Sequence, residues 1–363
     1  MTLIESIGTA TPKHRHSQEQ LCRFLETHLP MEEKTAQLMH RMAANSSIET
    51  RYSVLPDFSL PENQWQFIRK NGESFSLGSL ENRMDLYFSE ALALSLEAIR
   101  NLNAGEDFSN ITHLIAVTCT GLAAPGLDLL LMEALGLKKT TERSAIHFMG
   151  CYAAIHALKQ ADYICRANPE SRVLLVCTEL CTLHIQADAR PDNLASTLLF
   201  GDGAAAVVVS HSSNARTKGL FRLNSFASAV MQGEKKQMAW NLSSEGFRME
   251  LGLFVPELLG NGIEELLGQV SGNEKQDVKG WAIHPGGRKI LDKVADGLQM
   301  HREHLTSSYE ILRKFGNMSS PTVLFVLEEE YHKMRNQNRS GKVFSAAFGP
   351  GLSMESMMLE YVD

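Results

Sequence analysis

Residues 147–158 read HFMGCYAAIHAL, and the fold turns on how this stretch is read. Upstream, SAIHFMG (144–150) has the character of a strand end. Downstream, apolar residues recur at helical spacing through 152–167. A strand running into a helix is the unit of an α/β fold, and Cys151 stands at the junction. A thiol at a helix N-terminus meets the positive end of the backbone dipoles, which favours the thiolate. The small neighbours Gly150, Ala153 and Ala154 leave room beside it. Taken alone, such a cysteine is far more often a packed core thiol, and the rest of the sequence must change that reading.

The same alternation continues outward. Short apolar runs at 113–119, 172–178, 204–210, 279–284, 322–327 and 342–348 read as buried strands. Helical patterns at 83–102, 127–137, 152–167, 253–269, 287–299 and 305–315 lie between them. The expectation is an α/β fold with crossover connections. The polar stretch HSSNARTKG (211–219) divides the chain into an N-terminal part, 1–214, and a C-terminal part, 215–363. The segment 271–277, SGNEKQD, reads as a solvated loop. The two parts look alike. Each runs a strand into a reactive side chain, Cys151 in the first and His284 (after KGWAI) in the second. Each also ends in a Gly-rich turn beside a strand, FGDGAAAVVV (200–209) and FGPGLSMESMML (348–359). Two related βα halves would bring both reactive ends to one central seam.

Composition narrows the function. The chain has 363 residues, 44% hydrophobic and 21% charged, with a formal net charge of -7. That is the profile of a globular protein with a large core. It has no basic run to track phosphates, which excludes nucleic-acid binding as the main task. No apolar stretch approaches the length of a membrane span. The six cysteines (22, 119, 151, 165, 177 and 181) are scattered, and the N-terminus lacks the pattern of a signal peptide. Free thiols in the cytoplasm are the expectation.

Two further segments carry chemistry. WAIHPGGRKILD (281–292) puts His284 at a strand end, where Pro285 favours a non-helical bend and the glycines admit a ligand. FGNMSSPTVLFVL (315–327) puts Asn317 and two serines at a turn before an apolar run read as a strand. Other signals are set aside. GDGAAA (201–206) imitates a dinucleotide fingerprint but leads into a strand-like run instead of a helix. HREH (301–304) lacks a third metal ligand, and CTELC (177–181) lacks CxxC spacing, so no metal is expected.

In their order and spacing, GCYAA, LFGDGAAA (199–206), HPGG, GNMSS and FGPG resemble the type III polyketide synthases. These are the chalcone-synthase-like branch of the thiolase superfamily. The resemblance runs from IGTATP (7–12) to the C-terminal Gly-rich turn. It implies a thiolase-like fold, two pseudo-duplicated βα halves forming a layered αβαβα core. It also implies a Cys-His-Asn triad, here Cys151, His284 and Asn317. Cys151 would take an acyl starter from an acyl-CoA or an acyl carrier protein. His284 would help keep the thiol ionised. His284 and the Asn317 amide would hold the enolate left when malonyl-CoA loses CO2. Repeated extension would end in a pyrone or a resorcinol- or phloroglucinol-type ring, with CoA thioesters as substrates and no other cofactor.

The resemblance also marks a pocket. Phe200 falls on a gatekeeper position between the CoA tunnel and the acyl cavity. Met249 stands where the family has a second phenylalanine. Cys119, His184 and Trp240 fall on cavity-shaping positions that are usually Thr, Thr and Gly in plant enzymes, and MAWNLSSEGF (238–247) looks more like bacterial members. Ser319, with Glu179 and Cys119, would bear on aldol, Claisen or lactone closure. Ala347 replaces a family glycine. For CoA phosphates the chain offers Arg41, Arg51 and Arg288, while Glu49 occupies a site that is often basic. The family's dimers imply a homodimer in which LAAPG (122–126) reaches the partner's cavity. Two alternatives remain at this stage: a ketoacyl synthase that performs a single condensation, and a non-catalytic scaffold that binds acyl chains.

Overall fold

The structure is a computed structural model. It describes all residues except 103–106, 235–236, 253, 273–276 and 363. The expected loop at 271–277 thus falls largely outside the described residues.

Nine strands form one sheet, and its order shows how the two halves meet. From one edge they run Val278–Ile283, Lys342–Gly349, Ser353–Tyr361, Phe221–Val230, then Thr2–Ala10 at the centre. Beyond the centre come Asp202–His211, Arg172–Leu180, His113–Thr118 and Glu142–His147. The central strand pairs with Asp202–His211 along its whole length. It touches Phe221–Val230 only through Thr2, Leu3 and Ile4. This short seam lets the two half-sheets diverge.

Two helices fill the space between the half-sheets. Ala153–Ala167 and Thr322–Asn336 each pack against strands of both. Leu80–Arg100 covers the outer face of the first half-sheet, and Val255–Ser271 covers that of the second, with Arg288–Gly297 packed against it in the same apolar cluster. The result is five layers, αβαβα, the thiolase-like fold. The apolar clusters follow the layers. One joins Ile115, Val207, Leu158, Leu324 and Met357 across the middle, and the other two lie under the outer helices. Arg172–Leu180 is covered on both faces and buried throughout, which is why its middle, Val173–Cys177, reads as a continuous apolar run.

One element overturns the sequence expectation. TVLFVL (322–327) is not a strand but the first turns of the helix Thr322–Asn336. All six residues are buried. A helix enclosed on every side loses its polar stripe, so its apolar run has the same appearance as a buried strand.

The topology decides where the site forms. Glu142–His147 and Arg172–Leu180 both run parallel to His113–Thr118, and Val278–Ile283 runs parallel to Lys342–Gly349. The carboxyl ends of these strands lead to Cys119, Cys151, Cys181, His284 and Pro350. Open α/β sheets collect ligands at such ends.

Candidate active site

Cys151 sits in a tight turn. Phe148 and Gly150 have φ of 56° and 82°, and the helix starts at Ala153 with Tyr152 as its N-cap. Only glycine suits position 150, since a Cβ there would run into the Pro350 ring. The Gly150 N–H donates to Cys119 Sγ at 3.0 Å. The Cys151 turn is thereby fixed from two sides, by Cys119 and by the FGPG turn.

His284 follows its strand directly. Its backbone N–H donates to the Ala346 carbonyl at 2.8 Å, and its ring is fully buried. Neither ring nitrogen has a hydrogen-bond partner among the described residues. Asn317 lies in a turn between two helices, Thr306–Phe315 and Thr322–Asn336. Its Oδ1 accepts from the Ser319 N–H at 2.8 Å, which orients the carboxamide. Its Nδ2 then lies 3.9 Å from Cys151 Sγ.

These three side chains, from separate stretches of chain, line one cavity with about 590 Å³ of free space, part of it open to solvent. Its walls are mostly apolar, with Leu199, Met238, Leu251, Ile290 and Phe348 prominent. A second space of about 340 Å³ adjoins it. Phe200, Trp240, Met249 and Cys181 line both and form the partition.

The electrostatics differ from the sequence expectation of a thiol held down by the helix dipole. Burial pushes the Cys151 thiol up to about 11, against hydrogen bonds from Ser319 and Asn317. Burial also pushes the His284 imidazole down to about 3. Desolvation dominates because Cys151 is buried and precedes the helix. Glu179 is buried as well, and burial raises its carboxyl. It accepts from the Cys119 N–H at 2.9 Å, the Thr120 hydroxyl at 2.7 Å and the Ser320 hydroxyl at 2.7 Å.

Of the residues marked for the pocket, Phe200, Met249, Cys119, Trp240 and Ser319 line the main cavity. His184 lines only the adjoining one. It stacks on Phe247 at 4.2 Å, and its Nε2 lies 2.7 Å from the Thr120 carbonyl. The Phe247 N–H donates to its Nδ1 at 3.2 Å, so Nε2 carries the proton. Trp240 donates from Nε1 to the Cys119 carbonyl at 2.8 Å.

The cations are placed differently. Arg41 and Arg288 are exposed, line neither cavity, and Arg288 pairs with Asp292 at 3.6 Å. Arg51 is 1% exposed and bonded to backbone carbonyls, so it cannot meet a CoA phosphate. Glu49 is ion-paired with Arg313.

Several lining residues were not singled out in the sequence. Met238 and Leu251 are two of them, and the signal for them was present. They pair across the hairpin Met238–Ser243/Gly246–Leu251, as do Trp240 and Met249, so a period of two puts all four on one face. Thr120 adjoins Cys119, and Cys181 was noted only among the six cysteines and in CTELC; nothing in their own context marks either as a lining residue.

Sequence profiles agree with this architecture. The profile for chalcone and stilbene synthases, N-terminal domain, matches residues 1–213, and that for the C-terminal domain matches 222–363. The chain belongs to the chalcone and stilbene synthase family. It is similar to type III polyketide synthase A of Arabidopsis thaliana, 29% identical over 98% of this chain and 91% of the relative. It is 31% identical to type III polyketide synthase 21 of Oryza sativa subsp. japonica, over 99% of this chain and 94% of that protein. Probable polyketide synthase 1 of Dictyostelium discoideum is 27% identical over 99% of this chain, which spans only 11% of that much longer protein. Among solved structures, the C-terminal type III polyketide synthase domain of Steely1, a type I/III hybrid from Dictyostelium, superposes with a TM-score of 0.88. It is 27% identical and covers 100% of this chain and 99% of that one. PKS-I from the brown alga Ectocarpus siliculosus gives a TM-score of 0.89 at 27% identity, covering 99% and 98%. The enzyme is a type III polyketide synthase, a condensing acyltransferase. No helix among the described residues is long and apolar enough to cross a membrane.

Proposed function

We propose that the enzyme loads an acyl starter on Cys151, extends it with malonyl-CoA and closes the chain to a pyrone or a resorcinol- or phloroglucinol-type ring. The observation that carries this reading is the meeting of Cys151, His284 and Asn317 in one mostly apolar cavity. Cys151 Sγ attacks the starter thioester carbonyl as its proton passes to a ring nitrogen of His284, and the leaving CoA or carrier thiolate takes that proton up. Malonyl-CoA then loses CO2, and the electrons of the broken C–C bond move onto the thioester oxygen. His284 and Asn317 Nδ2 donate to that enolate oxygen. A buried site strengthens both bonds because no water competes for them. The enolate carbon attacks the Cys151 thioester, the C–S bond breaks, and the chain is two carbons longer.

The free His284 nitrogens support this role, since a packed structural histidine of such burial would have its polar atoms satisfied. The apolar walls and the adjoining space support an acyl starter that reaches past Phe200 toward Trp240 and Met249. Leu122, Ala123, Ala124 and Pro125 are exposed, which supports a homodimer meeting at this segment. Six free cysteines suit the cytoplasm.

The test is incubation with malonyl-CoA and a series of acyl-CoAs, with products read by mass. Multiply extended, cyclised products are expected, whereas one ketoacyl product would mean a single-condensation enzyme and no turnover a binding scaffold. Cys151→Ala should abolish condensation and keep measurable malonyl-CoA decarboxylation. Full product from that variant would remove Cys151 as the nucleophile.

A further inference from the structure

Arg51 is among the largest fully buried side chains, and no carboxylate lies within ion-pair distance of it among the described residues. It is spent on backbone. Nη1 donates to the carbonyls of Thr197 and Phe200, both at 3.0 Å, and Nη2 donates to that of Leu198 at 2.7 Å. Nη2 also donates to Gln18 Oε1, and Gln18 Nε2 donates to the Leu198 carbonyl at 3.1 Å.

Thr197, Leu198 and Leu199 end the helix Pro191–Leu199, where carbonyls lose their intrahelical partners. Arg51 takes two of the three. The third, Leu199, accepts from the backbone N–H of Asn317 at 3.0 Å, and the Gly201 N–H donates back to the Asn317 carbonyl at 3.0 Å. Phe200 and Asn317 thus form a bridge, with the Asn317 peptide hooked to the chain on both sides of Phe200. The approach is close enough that a Cβ on Gly316, at φ 67°, would lie 2.8 Å from the Leu199 oxygen.

We propose that Arg51 is a positioning residue: it clamps residues 197–200 and through them sets the place of the Asn317 carboxamide and the Phe200 ring. A planar guanidinium suits this task, because its fixed fork reaches several carbonyls in one orientation, and its charge complements a helix C-terminus. Arg51 acts by geometry. It is not among the groups that shift Cys151 or His284. The inference rests on the proposed role of Asn317 in holding the enolate.

The test uses Arg51→Met, Arg51→Lys, Asn317→Ala and the Arg51→Met/Asn317→Ala double variant. With malonyl-CoA, Arg51→Met should lower the decarboxylation kcat about 30-fold with KM within about threefold, and Arg51→Lys should recover part of the loss. In the Asn317→Ala background Arg51→Met should cost almost nothing further, because both changes remove one function. A purely structural role predicts the full factor in both backgrounds, and that result would overturn the proposal. If Arg51→Met does not fold, Gln18→Leu, which loosens the same clamp, should lower kcat about threefold with the same non-additivity. An additive loss or none would count against it. If the parent enzyme shows no malonyl-CoA decarboxylation, the enolate role itself fails. Positioning is then judged from crystal structures: Arg51→Met, or Gln18→Leu where that variant alone folds, should displace the Asn317 carboxamide by about 1 Å or more. An unmoved carboxamide refutes it.

Discussion

At Cys151 two effects oppose each other, and their sizes decide the chemistry. Hydrogen bonds from Ser319 and Asn317 favour the thiolate, while burial disfavours it more strongly and leaves the thiol near 11. In the proposed mechanism His284 takes the proton from the sulfur, so a reactive thiolate at neutral pH would depend on it. His284→Ala should slow iodoacetamide alkylation of Cys151 at pH 7 by about tenfold or more. In that variant the thiol titrates alone. Its anionic fraction, and with it the rate, should climb about tenfold per pH unit from 7 to 9, because both values lie below the raised pKa. Peptide mass spectrometry distinguishes Cys151 from the other five cysteines. A rate that levels off below pH 8 in His284→Ala would mean that burial does not control this sulfur. HPGG and GNMSS marked His284 and Asn317 through the family resemblance, and the structure brings both to the cavity of Cys151. The thiol's raised pKa was not legible in the sequence, because it depends on water excluded by Phe348, Leu251 and others far away in sequence.

The hairpin Met238–Ser243/Gly246–Leu251 shows how one small element sets a cavity's size. Its register puts Trp240 opposite Met249, and Trp240 is pinned by Cys119 and flanked edge-on by His184 and Phe247, each at 5.8 Å. The indole therefore stands as a fixed wall between the two spaces. Trp240→Ala should join them and favour longer acyl starters, raising kcat/KM for a long-chain acyl-CoA relative to acetyl-CoA by about tenfold, within the range that pocket contacts of this size supply. An unchanged starter preference would show that the Trp240 wall does not limit the chain. Residues of this hairpin were visible individually in the sequence, yet the partition was not, since it needs a hydrogen bond to a carbonyl 121 positions away. The misread helix Thr322–Asn336 has a related cause. The helix packs against Thr306–Phe315 and against strands of both half-sheets, and a local pattern records only that its first residues are apolar.

Across the whole molecule, the alternation of strands and helices announced the α/β class, but the sharing of two helices between half-sheets has no local signature. That sharing has a thermodynamic consequence. Ala153–Ala167 and Thr322–Asn336 touch strands of both half-sheets, and one apolar cluster spans the three layers. Neither half can open without uncovering the same helices, so the halves should unfold together. Leu324 is fully buried in this shared layer. Leu324→Ala leaves a cavity there and should cost about 2–5 kcal/mol. Amide hydrogen exchange reads the effect locally. If the layer couples the halves, exchange in Arg172–Leu180 and in Lys342–Gly349 should accelerate by the same factor, although Leu324 belongs to the C-terminal part of the chain. Acceleration confined to Lys342–Gly349 would mean that the halves are separate folding units and that the central helices only pack against them. A common factor would also explain how residues from two halves can hold a site whose geometry tolerates little relative motion.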